Sequence, residues 1–220
     1  MSIGSILLIL VAVLILFGAG QRVLDKLHLT DRQALLWIAL ILIGGFIPDI
    51  PVTPLFSFNL GGALVPLGLC VYLWIRADTG VERVRCIIAA LVTGAATYGL
   101  GRWMPDEPET IVLDPAYMHG LAAGIIGYLF GRSRRGAFFA GVVGILLSSV
   151  FSAATVWTHG IDQRLTLGGA GAFDVVVMTG LIAVLLSELI GETVERIQRK
   201  RRRPMREFRN GEFVKREESE

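Results

Sequence analysis

The chain has 220 residues, of which 53% are hydrophobic and 18% charged. Its mean hydropathy of +0.62 is above that of a soluble domain of this length, which carries more charge and a lower apolar fraction. There is room for several membrane crossings and little else, no separate soluble domain is expected, and no catalytic, cofactor or nucleic-acid motif stands out.

A bilayer core about 30 Å thick takes roughly 20 mostly apolar residues per helical crossing. Seven apolar segments fit that scale: Ile3–Gly20, Ala34–Ile47, Gly61–Ile75, Val84–Trp103, Pro115–Gly131, Ala137–Trp157 and Ala170–Ile190. The second and third are short. Between them Pro48, Pro51 and Pro54 forbid a continuous helix. That stretch is expected to be an extended loop or a re-entrant segment, and a re-entrant one needs shielding by protein or a water-filled cavity. The first segment has no preceding basic residue and no small-residue cleavage site, so it reads as a retained helix.

Charge sets the orientation. Arg22, Lys26 and Arg32 follow the first segment; Arg76, Arg83 and Arg85 follow the third; Arg132, Arg134 and Arg135 follow the fifth. Ten more Lys and Arg lie between Arg196 and Arg216, so 19 of 21 fall on one side, and only Arg102 and Arg164 on the other. The positive-inside rule then predicts an all-α polytopic transmembrane bundle of about seven spans, with the N-terminus outside and the C-terminus cytoplasmic. Residues 1–200 form the transmembrane helical domain. Residues 201–220 form a cytoplasmic tail, first basic and then acidic, with Pro204 ending the last helix and a disordered remainder. Glu192 and Glu195 each precede an Arg by four residues, the favourable order for surface ion pairs. The lipid bilayer is the main partner, and the run Arg199–Arg203 reads as a topology anchor or as a site for anionic head groups. Cys70 and Cys86 read as small buried hydrophobes rather than a disulfide.

The acidic residues of the outer side include Asp106, Glu107 and Glu109, which read as solvated. Asp114 followed by Pro115 fits an N-cap and first helical position. Asp49, between two prolines, fits a turn. Asp174 differs: if the last helix begins near Gly168, it sits six residues in, about 9 Å deep. A carboxylate at that depth needs pairing, protonation or water, and reads by default as functional. The alternative keeps the glycines unwound and places Asp174 in the first turn of a helix beginning near Ala172. An unwound glycine stretch leading into a half-helix is also how transporters build ion sites.

Other polar groups gather on the same side: His119, His159, Asp162, Ser148, Ser149, Ser152 and Thr155, with Asn59 before Gly61 and Gly62. With Asp174, these residues are candidates for lining an outward-facing cavity. The ligand or ion candidates are therefore Asp174, Asn59, Gly61, Gly62, Gly168, Gly169, Gly171, Asp49, Asp114 and His119. No histidine pair has the i, i+4 spacing of a metal site, so no metal and no cofactor are expected. Ser and Thr in membrane helices also serve helix packing, as do the small residues of Gly120–Gly127 and Gly136–Gly144.

Leu60-Gly61-Gly62-Ala63 is repeated as Leu167-Gly168-Gly169-Ala170. A 3+1+3 layout would relate spans one to three to spans five to seven as parallel repeats, as in sugar-exporting seven-helix transporters. In a chain this rich in Gly, Ala and Leu, about one such tetrapeptide repeat arises by chance.

The segment Leu167–Asp174, continuing through Thr179–Leu186, resembles an uncharacterised prokaryotic membrane family, domain of unknown function 1614. Asn59–Leu67 resembles a second family stretch. Gly45–Val52 is similar to a third, usually with Asn where this chain has Asp49. The resemblance spans most of residues 34–190 and implies an integral membrane protein without assigned activity or catalytic residues. Intramembrane aspartyl proteases are a looser comparison. Their Gly-x-Gly-Asp pattern would require Asp at 172, where this chain has Ala172, and only Asp114 is available to partner Asp174. The leading expectation is a membrane protein that binds or moves a small solute or ion around Asp174. The alternatives are an aspartyl-protease-like hydrolase and a non-enzymatic scaffold or assembly factor.

Overall fold

The computed structural model describes residues 27, 29–103, 115–131, 133–171, 174–202, 206–209 and 212–215. Among these residues six α-helices dominate: α1 (Asp31–Gly45), α2 (Val65–Ile75), α3 (Gly80–Trp103), α4 (Pro115–Gly131), α5 (Arg134–Thr158) and α6 (Val175–Arg202). The first predicted span lies outside the described residues. Among the described residues three helices are long and apolar enough to cross a membrane, within Gly80–Trp103, Arg134–Thr158 and Val175–Gln198; Leu60–Ile75 and Met118–Phe130 are shorter apolar helices.

Local chemistry fixes the helix starts. Thr30 and Gln33 form a capping box ahead of α1, each side chain meeting the other's backbone N–H, which satisfies two donors that a helix start otherwise leaves open. Ser133 caps α5 by accepting from the Gly136 N–H at 3.1 Å. α6 ends at Arg202, two residues before Pro204.

The helices alternate in direction. α3 and α5 run parallel, with Gly94 against Gly144 and the Tyr98 hydroxyl 3.3 Å from that of Thr155. α4 and α6 run parallel to each other and opposite to α5: Gly120 meets Ile182, Gly124 meets Leu186, and Gly141 meets the Thr179 carbonyl. Small residues at these crossings let the backbones approach closely, as membrane helices require when water supplies no hydrophobic drive. α3 shows the resulting inversion. Its buried residues are Cys86, Ala89, Ala90, Thr93, Gly94 and Thr97, while Val84, Ile87, Ile88 and Leu91 are exposed. Large apolar side chains outside and small or polar ones inside suit a bundle surrounded by lipid.

Of the prolines between α1 and α2, Pro48 lies in irregular loop, Pro51 in a short strand and Pro54 in the turn that follows it. Strand β1 (Ile50–Thr53) pairs antiparallel with β2 (Phe56–Phe58), and β2 pairs in parallel with β3 (Leu165–Leu167). This small sheet is an addition to a fold that is otherwise helical, as expected. Pro51 is tolerated because β1 is an edge strand, where a missing N–H breaks no ladder bond towards the sheet centre. β2 leads through Asn59 into a π-helical turn, Leu60–Leu64, continuous with α2. In the tail, expected to be disordered, β4 (Arg206–Arg209) and β5 (Glu212–Lys215) pair antiparallel.

The ends of the bundle differ in charge. At one end Arg135, 7% exposed, contacts Asp78 at 2.6 Å and Glu82 at 3.4 Å and donates to the Arg76 carbonyl. Arg134 pairs with Glu188 beside it. Arg102 and Arg164 lie at the other end, around the far ends of α3 and α5. Glu192 and Arg196 pair at 3.3 Å as the spacing predicts; the Arg199 side chain is outside the described set. Replacing Arg135 with Leu leaves the shielded Glu82 carboxylate without this cation. The expected loss is about 3 kcal/mol, the low end for breaking a buried pair because Asp78 remains open to water. The thermal midpoint of the solubilised protein measures it.

Candidate functional site

The site is built where two chain segments with unwound glycines cross. Asn59 is 3% exposed and all its polar atoms are engaged. Its Oδ1 accepts from the Gly61 and Gly62 N–H groups, both at 3.0 Å. Its Nδ2 donates to the Ile47 carbonyl and to Asp49 Oδ1, again at 3.0 Å. Its backbone N–H donates to the Leu167 carbonyl at 2.8 Å, continuing the β2–β3 ladder. One side chain thus caps the π-helical turn, anchors the β1 strand through Asp49 and joins both to β3. Ser57 and Thr166 add a hydroxyl–hydroxyl bond of 2.8 Å across the parallel strands.

The glycines beside Asn59 serve contact between backbones. A Cβ on Gly61 would overlap Gly45 N and the Ile41 carbonyl of α1. One on Gly62 would overlap the Gly168 carbonyl and lie 2.7 Å from that of Gly171. Gly168 and Gly171 have φ of 71° and 61°, a region that L side chains adopt at a cost. α1, the π-helical turn and the 168–171 turn therefore meet with no side chains between them. Gly169 is exposed and outside this crossing.

Asp174 emerges from the second segment. It lies immediately before α6, not six residues inside it, because the 168–171 turn remains unwound. Its Oδ1 accepts from the Val176 N–H at 3.0 Å and its Oδ2 from the Ala170 N–H at 3.3 Å. Asp174 is thus the N-cap of α6, where the helix dipole favours its negative charge. Asp174→Ala is expected to cost about 1 kcal/mol and Asp174→Asn much less, since an amide oxygen can still cap; thermal unfolding separates the two.

Asp174 also borders a cavity of about 680 Å³, inside the range of about 300–1,000 Å³ usual for small-molecule sites. Its walls come from the ends of α3 and α5, from His119 of α4, from Ile161, from residues 163–168 and from the start of α6. Ser148, Ser149, Ser152 and Thr155 line it, together with His119, His159 and Gly168. His159 Nδ1 lies 2.6 Å from the Thr155 carbonyl. A carbonyl only accepts, so this nitrogen carries the proton and Nε2 is the remaining ring nitrogen for other partners.

The structure divides the sequence candidates into two groups. Asp174, His119 and Gly168 border the cavity. Asn59, Asp49, Gly61, Gly62 and Gly171 form the crossing that holds the cavity's β3 wall and the start of α6 in place. Asp114 lies outside the described residues. Tyr98, Arg102, Gln163, Arg164 and Thr166 also line the cavity and were not singled out as site residues. Arg102 and Arg164 carried a signal, as the two exceptions to the charge pattern. Among the described residues, no cluster of three His, Cys, Asp or Glu has metal-binding geometry.

No curated protein and no solved structure matches the chain. Residues 25–186 match the family described as protein of unknown function (DUF1614), a match covering most of the chain and both arms of the glycine crossing. The chain belongs to that family.

Proposed function

We propose that this is a multi-pass protein of a prokaryotic inner membrane that binds or moves a small solute or ion through an outward-facing polar cavity beside Asp174. The observation carrying this reading is the cavity itself. About 680 Å³ of space at one end of an apolar bundle is lined by hydroxyls, two histidines and a helix-capping carboxylate. Polar groups at a helix end inside a membrane protein are costly unless they meet water, one another or a ligand. With the first apolar segment as a crossing, the six alternating helices make seven spans, and the basic end of the bundle faces the cytoplasm. The parallel β2 and β3 strands, each leading into a helix, fit a 3+1+3 repeat. Their register pairs Phe58 with Leu167, so Leu60 falls two residues out of step with the second Leu of the tetrapeptide echo.

The test is a binding and transport screen on reconstituted protein, comparing Asp174→Asn with the parent. Asn preserves the cap, so the fold is retained. At least a tenfold change in affinity, or loss of proton coupling, is expected. Unchanged binding and coupling across a broad solute panel would refute the proposal.

A further inference from the structure

We infer that the cavity takes a small solute bearing an oxyanion group, a carboxylate or phosphate, held by Arg102 and Arg164. This rests on the proposed solute-binding role and specifies its substrate class. Three observations converge on it.

The first is placement. Of 21 Lys and Arg residues, Arg102 and Arg164 alone break the charge pattern. They lie 62 residues apart in the chain, yet both line the same cavity. A basic residue on the outer side works against the orientation rule. Two that converge on one concavity point to a use for the charge there.

The second is the balance of charge. Among the described residues that line the cavity, the formal charges are two guanidinium groups and the Asp174 carboxylate. Both Asp174 oxygens already accept backbone N–H bonds, and its charge faces the positive end of α6. Neither arginine pairs with a carboxylate among the described residues. Among the described residues the lining is therefore net positive, with the one carboxylate already accepting two backbone N–H bonds and neither guanidinium held by a carboxylate.

The third is preorganisation. Arg102 Nη1 donates to the Tyr98 hydroxyl at 3.0 Å, and its guanidinium lies 5.9 Å from the Tyr98 ring centroid. Tyr98 is in turn 3.3 Å from the Thr155 hydroxyl of α5. Arg102 is thus tied to both walls before any ligand arrives, with other N–H groups left to donate. A planar guanidinium fork matches carboxylate and phosphate oxygens two at a time. Ser148, Ser149 and Ser152 supply neutral donors to the same space, and Ile145, Val156 and Val176 supply apolar surface for a carbon skeleton.

The experiment is a thermal-shift titration of the full-length protein in neutral-lipid nanodiscs. Inorganic phosphate, sulfate, a monocarboxylate series and a dicarboxylate series are compared with uncharged sugars and with sodium and potassium. A parallel arm replaces the neutral lipid with phosphatidylglycerol, which separates a lipid phosphate from a soluble one. At least one oxyanion is expected to protect at millimolar concentration. Arg102→Gln and Arg164→Gln should each weaken that protection at least tenfold, with Lys at either position restoring part of it. Both side chains are exposed, so these variants should fold, and an unchanged elution profile and ligand-free midpoint verify that. Protection only by a sugar or a cation, altered by Asp174→Asn, overturns the oxyanion assignment while leaving the solute-binding proposal standing. Protection by no compound in either lipid overturns the oxyanion assignment, and if the broad screen is also blank, the solute-binding role falls with it. Protection insensitive to both arginine variants also overturns the assignment.

Discussion

Gly62→Ala is expected to leave little folded protein, and Gly61→Ala nearly as little. The added methyl at 62 would overlap the Gly168 carbonyl and press on that of Gly171; at 61 it would overlap the backbone of α1. Overpacking costs about 1–3 kcal/mol when side chains can rotate away. Here the opposing atoms are main chain, so relief means separating α1, the π-helical turn and the 168–171 turn. A loss of about 3 kcal/mol or more is a large part of a typical stability of about 5–15 kcal/mol. Gly99 and Gly101 of α3 provide the contrast. A Cβ there meets no atom within 4 Å, and alanine is the better helix former by about 1 kcal/mol. Gly99→Ala and Gly101→Ala should match or slightly exceed the parent midpoint. Fluorescence-detected size-exclusion after heating, run on all four variants, measures the difference.

Asn59→Ala should cost a similar amount through a different mechanism. It removes the acceptor for two N–H groups and the donor for the Ile47 carbonyl. Each buried polar group left unpaired costs about 1–3 kcal/mol, so about 3 kcal/mol is a conservative expectation for the set. Asn59→Asp distinguishes the two halves of the amide. The acceptor oxygen stays, but a second carboxylate now faces Asp49 and the Ile47 carbonyl. It should destabilise the protein at neutral pH, and adding Asp49→Asn should recover part of the loss by supplying an N–H donor. Asp49→Asn alone should be near neutral, because an amide oxygen accepts from Asn59 as the carboxylate does. A double-mutant cycle on unfolding midpoints reads the coupling directly.

Much of this architecture is legible in local sequence. The apolar segments from 34 to 190 become helices because their length and composition permit little else. Ser133, Thr30 and Pro204 mark helix limits through rules that act within a few residues. The readings that needed revision depend on partners distant in the chain. Pro48, Pro51 and Pro54 exclude a helix, but they do not reveal that β2 will pair with β3 across 109 residues, as Ser57 and Thr166 do. Asn59 looked like a lining residue because it is polar and beside glycines. Its four side-chain hydrogen bonds give it a structural role as well, which depends on where Ile47 and Asp49 fold back. The start of α6 depends on whether Gly168–Gly171 stay unwound, and the close approach of Gly62 and Gly45 settles that. The β4–β5 pairing had a local cue that charge content obscured: Asn210-Gly211 lies between the strands, a dipeptide that favours a tight hairpin turn. Arg102 and Arg164 were visible as exceptions to a pattern, but their shared cavity emerges only when α3 and the 161–168 segment are brought together.

Solute capture from outside the cell requires the cavity to open on the outer side of the membrane. Cysteines introduced at Gln163, beside the cavity, and at Gln198, near the opposite end of α6, can be probed with a membrane-impermeant maleimide in right-side-out vesicles. The native Cys70 and Cys86 are 0% and 3% exposed, so background labelling should be low. Labelling of Gln163→Cys in sealed vesicles, with Gln198→Cys reacting only after permeabilisation, is the predicted result. The opposite pattern, or equal labelling of both in sealed vesicles, would contradict an outward-facing cavity.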